Sequence, residues 1–322
     1  MVTGLIIGII LVGVAFFVGS SVLIEYRKDR IPVLNYHRVV SNDNFVLCKK
    51  AAYVVSENAF NDQMQFLKDN GYTAIDLDDY LYYKDHRKEL PQKPFIITFD
   101  DGYENNYLYA YPILIKLSYK AIIYSVSDPS TYFFKSFEIP ERLLSPEQMR
   151  ELSDNGISIQ GHTSTHPRLK TLTDSEIRAE LKTCKETLEA ITGKPVIHMA
   201  IPYGSYDRRL FNIARELGYQ TIEVPGRGTI NLDTAPYRLR RIAIHSDTTI
   251  EELRKIVSSP LFAVVNRLYA AVHLAMRRTL GQNIEGKFKT AFAQLGLDNP
   301  IRFAKFAIGV LIVALILYVF IL

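Results

Sequence analysis

Two adjacent carboxylates, Asp100 and Asp101, follow an apolar run at residues 94–99 and precede Gly102. Such a run, bounded by proline and glycine, is typical of a buried strand in a parallel sheet, where ligands bind at the carboxyl ends of strands. Neighbouring side chains on a strand face opposite sides, so both carboxylates can share one site only if the chain leaves the strand between them, which Gly102 allows. The pair could then bind a metal ion or act as a general base. An acidic turn or helix cap is the alternative interpretation.

A second polar motif, His162-Thr-Ser-Thr-His166, follows another strand-like run at residues 156–161. Two imidazoles and one carboxylate leave positions on a metal ion open for water and substrate, which is typical of a catalytic zinc site. A histidine pair by itself is often a surface or hydrogen-bonded structural feature. Together, the two motifs predict a catalytic site for a divalent metal ion, with zinc as the expected ion.

These motifs and a third, Ile201-Pro-Tyr-Gly204, resemble in order and separation the motifs of the polysaccharide deacetylases, the NodB-homology proteins of carbohydrate esterase family 4. The resemblance covers residues 31–257. It implies an α/β fold, an irregular (β/α) barrel of the polysaccharide deacetylase type. It also implies a metal-dependent hydrolase that removes the N-acetyl group from an N-acetylated amino sugar in a glycan.

The resemblance implies a role for each matching residue. The implied metal ligands are Asp101, His162 and His166. Asp100 is then the general base toward the attacking water, and Thr163 is a hydroxyl that braces the histidine loop. The family stabilises the oxyanion with a backbone N–H of the third motif, which falls here on Tyr203, beside Pro202. An ordinary turn is the alternative interpretation of this third motif.

The third motif departs from the family pattern at Ala200, where most members have an arginine that orients the catalytic aspartate. Another cation could take this role, and Arg241 is the candidate. Without such a cation, Asp100 would be held less tightly.

The acid that protonates the leaving amine has two candidates. His245 ends a strand-like segment, as the acid does in most family members. In the subgroup of poly-N-acetylglucosamine deacetylases, however, the order is permuted and an N-terminal Tyr-His-Arg supplies the acid. Residues 33–39 match that segment, and residues 237–242 resemble a basic strand of the same subgroup, so His37 is the favoured acid. His245 could equally be a solvated histidine at a strand end.

The composition limits other functions. The 322 residues carry a net charge of +4 without a basic stripe interleaved with aromatic residues, so nucleic acid is not an expected partner. The two cysteines, Cys48 and Cys184, have neither metal-site nor disulfide spacing and are expected to be free thiols.

Helical and strand patterns alternate along the chain. Ser56 precedes a helix that ends at Gly71 and places Phe60, Met64 and Leu67 on one face. The further predicted elements are a strand near 121–126 and helices at 146–154, 173–191 and 207–217. This alternation predicts a largely parallel sheet or barrel.

Uncharged runs at both ends of the chain predict membrane spans. Residues 2–24 and 306–322 are apolar and long enough to cross a bilayer, the second with some thinning. The chain is thereby divided into an anchor at 1–25, a catalytic domain at 31–257, a helical region at 258–301 and a second span at 303–322. A transmembrane helix at each end would make it an integral protein of the cell membrane.

Residues 260–278 have a broad apolar surface and a basic side, which suits a helix in the membrane interface. A core helix is the alternative interpretation. The interfacial helix would hold the active site near the bilayer and favour a lipid-linked glycan. The basic residues beside the spans favour a cytoplasmic domain, but the family resemblance favours the extracytoplasmic face, which is the side we expect.

Two further functions are compatible with these residues. A deacylase or deformylase acting on another amide of a lipid-linked sugar would use the same metal site, because the site does not encode the acyl group. A catalytically silent module could bind a glycan or a membrane partner. A complete set of ligands together with Asp100 argues against the silent module, since a binding protein does not need a general base.

Overall fold

The computed structural model describes residues 29–48, 53–128, 130, 142–224, 226 and 228–260. The chain divides into two compact units, and nearly all of these residues belong to one of them, Lys28–Pro225 with Thr229–Val257. This unit alternates strands and helices, as the sequence pattern predicts.

The strands of this unit are short, and all of their pairings are parallel. In chain order they are β1 Val33–Tyr36, β2 Arg38–Val40, β3 Val54–Ser56, β4 Thr73–Ala74, β5 Pro94–Phe99, β6 Ala121–Ser125, β7 Ile157–Gly161, β8 His198–Ala200, β9 Thr221–Val224, β10 Leu239–Arg240 and β11 Ile242–Ala243. The main sheet has the order β10-β9-β8-β7-β6-β5-β1-β11, with β4 beside β5, and β2 pairs with β3 separately.

The two edge strands of the main sheet are separated in the chain by Arg241 alone. β10 pairs with β9, whereas β11 pairs with β1. Because these two strands are almost continuous, the sheet curls into a nearly closed barrel. The predicted (β/α) barrel of the polysaccharide deacetylase type is confirmed, and Arg241 lies where the barrel closes.

The described residues form eight α-helices, and the four that the sequence predicts, near 56–71, 146–154, 173–191 and 207–217, begin and end close to the predicted bounds. The eight are α1 Asn42–Cys48, α2 Glu57–Asp69, α3 Leu77–Asp85, α4 Tyr111–Leu117, α5 Pro146–Asp154, α6 Asp174–Thr192, α7 Arg208–Glu216 and α8 Ile250–Ser258, with a π-helical segment at Asn106–Ala110. Side-chain caps fix several starts. The Ser56 hydroxyl accepts from the N–H of Ala59, and Thr173 forms a reciprocal capping box with Glu176.

Aromatic side chains join α2 to the strands that carry the candidate site. The rings of Tyr36 and Phe60 meet edge to face at 5.2 Å, and that of Phe99 lies 5.8 Å from Phe60. All six residues of β5 are buried, which is typical of a strand covered on both faces. This packing gives the acidic pair after β5 a rigid base.

The prediction of an integral membrane protein is wrong for the part of the chain that the structure describes. The predicted spans, and all of the predicted interfacial helix after Pro260, lie outside the described residues. Within the described ranges, no helix combines the length and apolar character that crossing a bilayer requires. The longest one, α6, has 19 residues but carries charges along its length, which are costly in a membrane. Neither the membrane nor a lipid-linked glycan finds support as a partner in the residues that the structure describes.

Candidate active site

The predicted site residues lie at the carboxyl ends of the barrel strands, the face at which barrels of this kind bind ligands. Each candidate follows or ends a different strand. His37 follows β1, the acidic pair follows β5, His162 follows β7, the third motif follows β8, and His245 follows β11.

The chain turns sharply between Asp100 and Asp101. Asp101 and Gly102 both have a φ of +76°, in the left-handed region. A Cβ on Gly102 would overlap the Ser125 hydroxyl and lie 2.9 Å from Ser125 Cβ, so only glycine fits there. This turn allows the two carboxylates to serve one site, as the sequence predicts.

Three potential metal ligands converge in this site. Oδ1 of Asp101 lies 3.4 Å from Nε2 of His162 and 3.3 Å from Nε2 of His166. The three ligand atoms all lie within 4.8 Å of one another. One carboxylate oxygen and two imidazole nitrogens are a donor set that suits zinc and similar divalent ions.

The hydrogen bonding of His162 fits metal binding. Its Nδ1 lies 3.0 Å from the carbonyl oxygen of Ala200, and a carbonyl can only accept, so Nδ1 carries the proton. Nε2 is therefore the ring nitrogen that faces Asp101, and once it has lost its proton it can give its lone pair to a metal ion, which is the usual arrangement behind a ligating histidine. Burial raises the pKa of Asp101, but hydrogen bonds from His162 and His166 outweigh it and hold that pKa well below its usual range. The carboxylate is thus ionised, as a metal ligand must be.

Arg241 contacts the Asp100 carboxylate through two parallel hydrogen bonds. Its two terminal nitrogens donate to Oδ1 at 2.5 Å and to Oδ2 at 2.9 Å. Asn35 also donates to Oδ2, at 3.3 Å. Burial raises the pKa of Asp100, but the Arg241 charge, followed by His162 and His37, outweighs it and lowers the pKa below its usual value. Arg241 thus has the geometry predicted for the cation that replaces the missing arginine at Ala200.

Glu223, which the sequence analysis did not single out, is the second anionic partner of Arg241. It is fully buried in β9, in register with Ala200. Its Oε2 lies 3.1 Å from Nε of Arg241, an ion pair without the alignment of a hydrogen bond. Burial raises the pKa of Glu223 to about 7, although the Arg241 charge opposes this effect. A charged residue inside the apolar run 221–224 was the sequence signal that could have identified it.

The raised pKa of Glu223 makes stability depend on pH. Between the unfolded-state pKa of 4.5 and the folded-state pKa of about 7, the folded protein binds more protons than the unfolded chain. The Glu223 contribution to the free energy of unfolding is therefore complete below pH 4.5 and is lost as the pH rises to about 7. We expect Glu223→Gln to remove this loss, so that the stability of the variant relative to wild type rises by up to a few kcal/mol across that window. Urea unfolding at several pH values measures this difference, and a difference that does not vary with pH would contradict the prediction.

His37 is the candidate acid that the structure brings to Asp100. Its Nε2 lies 3.9 Å from Oδ2 of Asp100. Burial lowers the pKa of His37, and the charges of Asp100 and Asp101 oppose that effect. Asn106 holds the backbone that leaves His37: its amide nitrogen donates to the carbonyl of His37 at 2.8 Å, and its amide oxygen accepts from the N–H of Val39 at 3.2 Å.

Tyr53 connects the two candidate acids. Its ring stacks on His37 with 4.6 Å between centroids and is tilted against His245 at 5.1 Å. Two hydrogen bonds hold the backbone of His245: its N–H donates to the Thr248 hydroxyl at 2.9 Å, and its carbonyl accepts from the N–H of Thr248 at 3.0 Å. Asn106 and Tyr53 were not identified from the sequence, because nothing in their local pattern separates them from ordinary helix and turn residues.

The third motif forms a short 3₁₀ turn, Pro202–Gly204, after β8. Pro202 is buried, whereas Tyr203 is 51% exposed. The Tyr203 ring meets His166 at 4.6 Å, and the Arg168 guanidinium lies 4.4 Å above it. Tyr203 therefore borders the cluster of potential ligands.

The chain matches one protein family and is similar to three relatives in sequence or fold. Residues 87–222 match the family described as polysaccharide deacetylase. The crystal structure of a polysaccharide deacetylase from Bacillus cereus is 31% identical, has a TM-score of 0.59, and aligns with 71% of this chain and 69% of that one. The Streptococcus pyogenes deacetylase PplD, solved in complex with acetate, is 26% identical, has a TM-score of 0.63, and aligns with 72% of this chain and all of that one.

The poly-beta-1,6-N-acetyl-D-glucosamine N-deacetylase of Staphylococcus aureus is 26% identical over 255 residues, which cover 72% of this chain and 84% of the relative. The family match includes both the acidic pair after β5 and the histidine motif after β7. These similarities confirm the resemblance seen in the motifs: the chain belongs to the polysaccharide deacetylase family.

Proposed function

We propose that this protein is a metal-dependent de-N-acetylase that hydrolyses the N-acetyl groups of poly-β-1,6-N-acetylglucosamine or a closely related glycan. The observation that carries the proposal is the convergence of three potential ligands with Asp100 and His37 at one end of the barrel. A ligand set, a base and an acid are the groups that amide hydrolysis requires.

In this proposal Asp101, His162 and His166 hold a divalent ion, with zinc the expected one. A bound ion supplies Lewis acidity toward the amide carbonyl and the attacking water. The fixed tautomer of His162, with Nδ1–H bonded to Ala200, supports this role.

Asp100 takes a proton from the attacking water as general base. Two hydrogen bonds from Arg241 hold its carboxylate in one orientation. As the carbonyl oxygen gains negative charge, the backbone N–H of Tyr203 donates to it, as the family resemblance implies.

His37 gives a proton to the nitrogen as the C–N bond breaks, so that a free amine and acetate are released. The proton that Asp100 takes from water can pass to His37 and from there to the amine nitrogen. The distance of 3.9 Å between Nε2 of His37 and Oδ2 of Asp100 supports this path. Tyr53 and Asn106 hold the imidazole ring and its backbone in place during this transfer.

The substrate class rests on two observations. One relative carries the name poly-beta-1,6-N-acetyl-D-glucosamine N-deacetylase and aligns with 72% of this chain. The other is the position of His37 after β1, which matches the permuted order of that subgroup.

Acetate release by the purified protein tests this function. We expect release from poly-β-1,6-N-acetylglucosamine that a chelator abolishes and that added zinc restores, with β-1,4-linked N-acetylglucosamine oligomers and peptidoglycan as comparison substrates. Asp101→Ala serves as the inactive control. Absence of acetate from every substrate, or release that a chelator leaves unchanged, would refute the proposal. Release of formate from an N-formylated sugar, but no acetate, would favour the deformylase.

A further inference from the structure

The loop between His162 and His166 has a backbone conformation that its own residues do not favour. Thr163 has a φ of +67° and His166 a φ of +59°. Left-handed backbone is unfavourable for a residue with a Cβ, and a β-branched threonine is especially disfavoured there. Neighbouring groups must therefore hold the loop in the shape that turns both imidazoles toward Asp101.

Glu180, on α6, accepts three hydrogen bonds from this loop. Its Oε2 accepts from the N–H of Ser164 at 2.9 Å and from the N–H of Thr165 at 2.8 Å. Its Oε1 accepts from the Thr165 hydroxyl at 2.6 Å. Successive backbone N–H groups form a concave site for an anion, and here the carboxylate of the protein itself fills it. Hydrogen bonds to a carboxylate are shorter and stronger than those between neutral groups.

The helix that carries Glu180 is firmly anchored. Ile177 and Leu181, on either side of Glu180 along the helix, are buried in the core. The capping box of Thr173 and Glu176 fixes the helix start. The carboxylate therefore reaches the loop from a rigid element, which limits how far the loop can relax.

On its other side, the loop forms hydrogen bonds between neutral groups with the residues that follow β6. The N–H of Asp128 donates to the carbonyl of Ser164 at 3.1 Å, and the Ser127 hydroxyl donates to the Ser164 hydroxyl at 3.2 Å. These contacts reach Ser164, whereas Glu180 reaches both Ser164 and Thr165, the residue next to His166. The Glu180 contacts thus restrain the half of the loop that carries the second histidine.

We propose that Glu180 is a positioning residue for the metal site, which holds His166 where it can share an ion with Asp101 and His162. The inference rests on the proposed metal dependence. Without Glu180 the loop keeps its contacts with Ser127 and Asp128 and the bond from the His166 N–H to the Thr163 hydroxyl, but it loses the three bonds that hold Ser164 and Thr165. The left-handed conformation is then less well restrained, and ion binding must pay part of the cost of restoring it. The loss should therefore appear as weaker metal affinity.

The test is the zinc affinity of metal-free protein, measured by competition with a chromophoric chelator. We expect Glu180→Ala to weaken zinc binding by about 10–100-fold, the usual effect of removing a group that orients metal ligands. Glu180→Gln should show a smaller loss, because its amide oxygen still accepts but carries no charge. Glu186→Ala is the matched control: Glu186 lies on the same helix, is 64% exposed and faces Lys182 at 3.7 Å, and its loss should leave affinity unchanged.

Thermal unfolding of the same metal-free proteins separates positioning from folding. We expect Glu180→Gln to unfold at nearly the wild-type temperature and still bind zinc more weakly, and this variant decides the question if Glu180→Ala does not fold. Wild-type affinity in Glu180→Gln and Glu180→Ala would refute the inference and leave the proposed function intact. A wild-type protein that binds no divalent metal would refute both.

Discussion

Asp100→Asn should bind zinc as tightly as the wild-type protein while its turnover falls by about 10²–10⁴-fold, the usual contribution of a general base. The asparagine side chain has nearly the shape of the aspartate carboxylate, but its amide cannot take a proton from the attacking water. The metal ligands are unchanged, because the turn at Gly102 sends Asp101, and not Asp100, to the two histidines. Arg241 keeps its contact with Glu223 in this variant, so we expect the barrel to remain closed.

Asp101→Ala and His166→Ala are the matched changes, and each should lose both bound metal and activity. Removing one of three protein ligands leaves too few donors to hold the ion against water. Metal content of the purified proteins and the rate of acetate release measure the two effects separately. Full activity in Asp100→Asn would refute the assignment of the base, and wild-type metal content in Asp101→Ala would refute the ligand set.

His37→Ala should impair turnover by about 10²–10⁴-fold, and far more than His245→Ala, because protonation of the departing amine requires a positioned acid. His37 contacts Asp100, whereas His245 packs against Tyr53 and is hydrogen-bonded to Thr248. Both variants should bind zinc normally, since neither histidine belongs to the ligand cluster.

The leaving group offers a sharper form of this test. An aryl acetate ester releases a phenolate, which needs little protonation, so His37→Ala should retain much more activity on the ester than on the N-acetyl sugar. Asp100→Asn should lose activity on both, because both reactions require the attacking water. An equal loss on both substrates in His37→Ala would refute its role as the acid. A larger effect of His245→Ala would show that the permuted arrangement does not apply.

The sequence by itself determined the parts of this protein that depend on local patterns. The apolar run before Asp100 indicated β5, the spacing of Phe60, Met64 and Leu67 indicated α2, and both agree with the structure within a few residues. Alternation of strands and helices indicated a largely parallel sheet or barrel, and the family resemblance implied the barrel. In such a barrel the carboxyl ends of the strands meet at one face, so the acidic pair and the histidine motif were expected to lie together. The family resemblance implied that Asp101 is the carboxylate that joins the histidines.

Only the tertiary structure decided which distant residues meet. Arg241 reaches Asp100 because β10 and β11 close the barrel on either side of it, and Glu223 joins them through the register of β9 with its neighbours. The contacts of His37 with Asp100 and of Glu180 with the histidine loop likewise join elements far apart in the chain. The periodicity within one element says which of its faces is buried, but not which distant elements pair with it or where the barrel closes, so only the folded barrel determines these contacts.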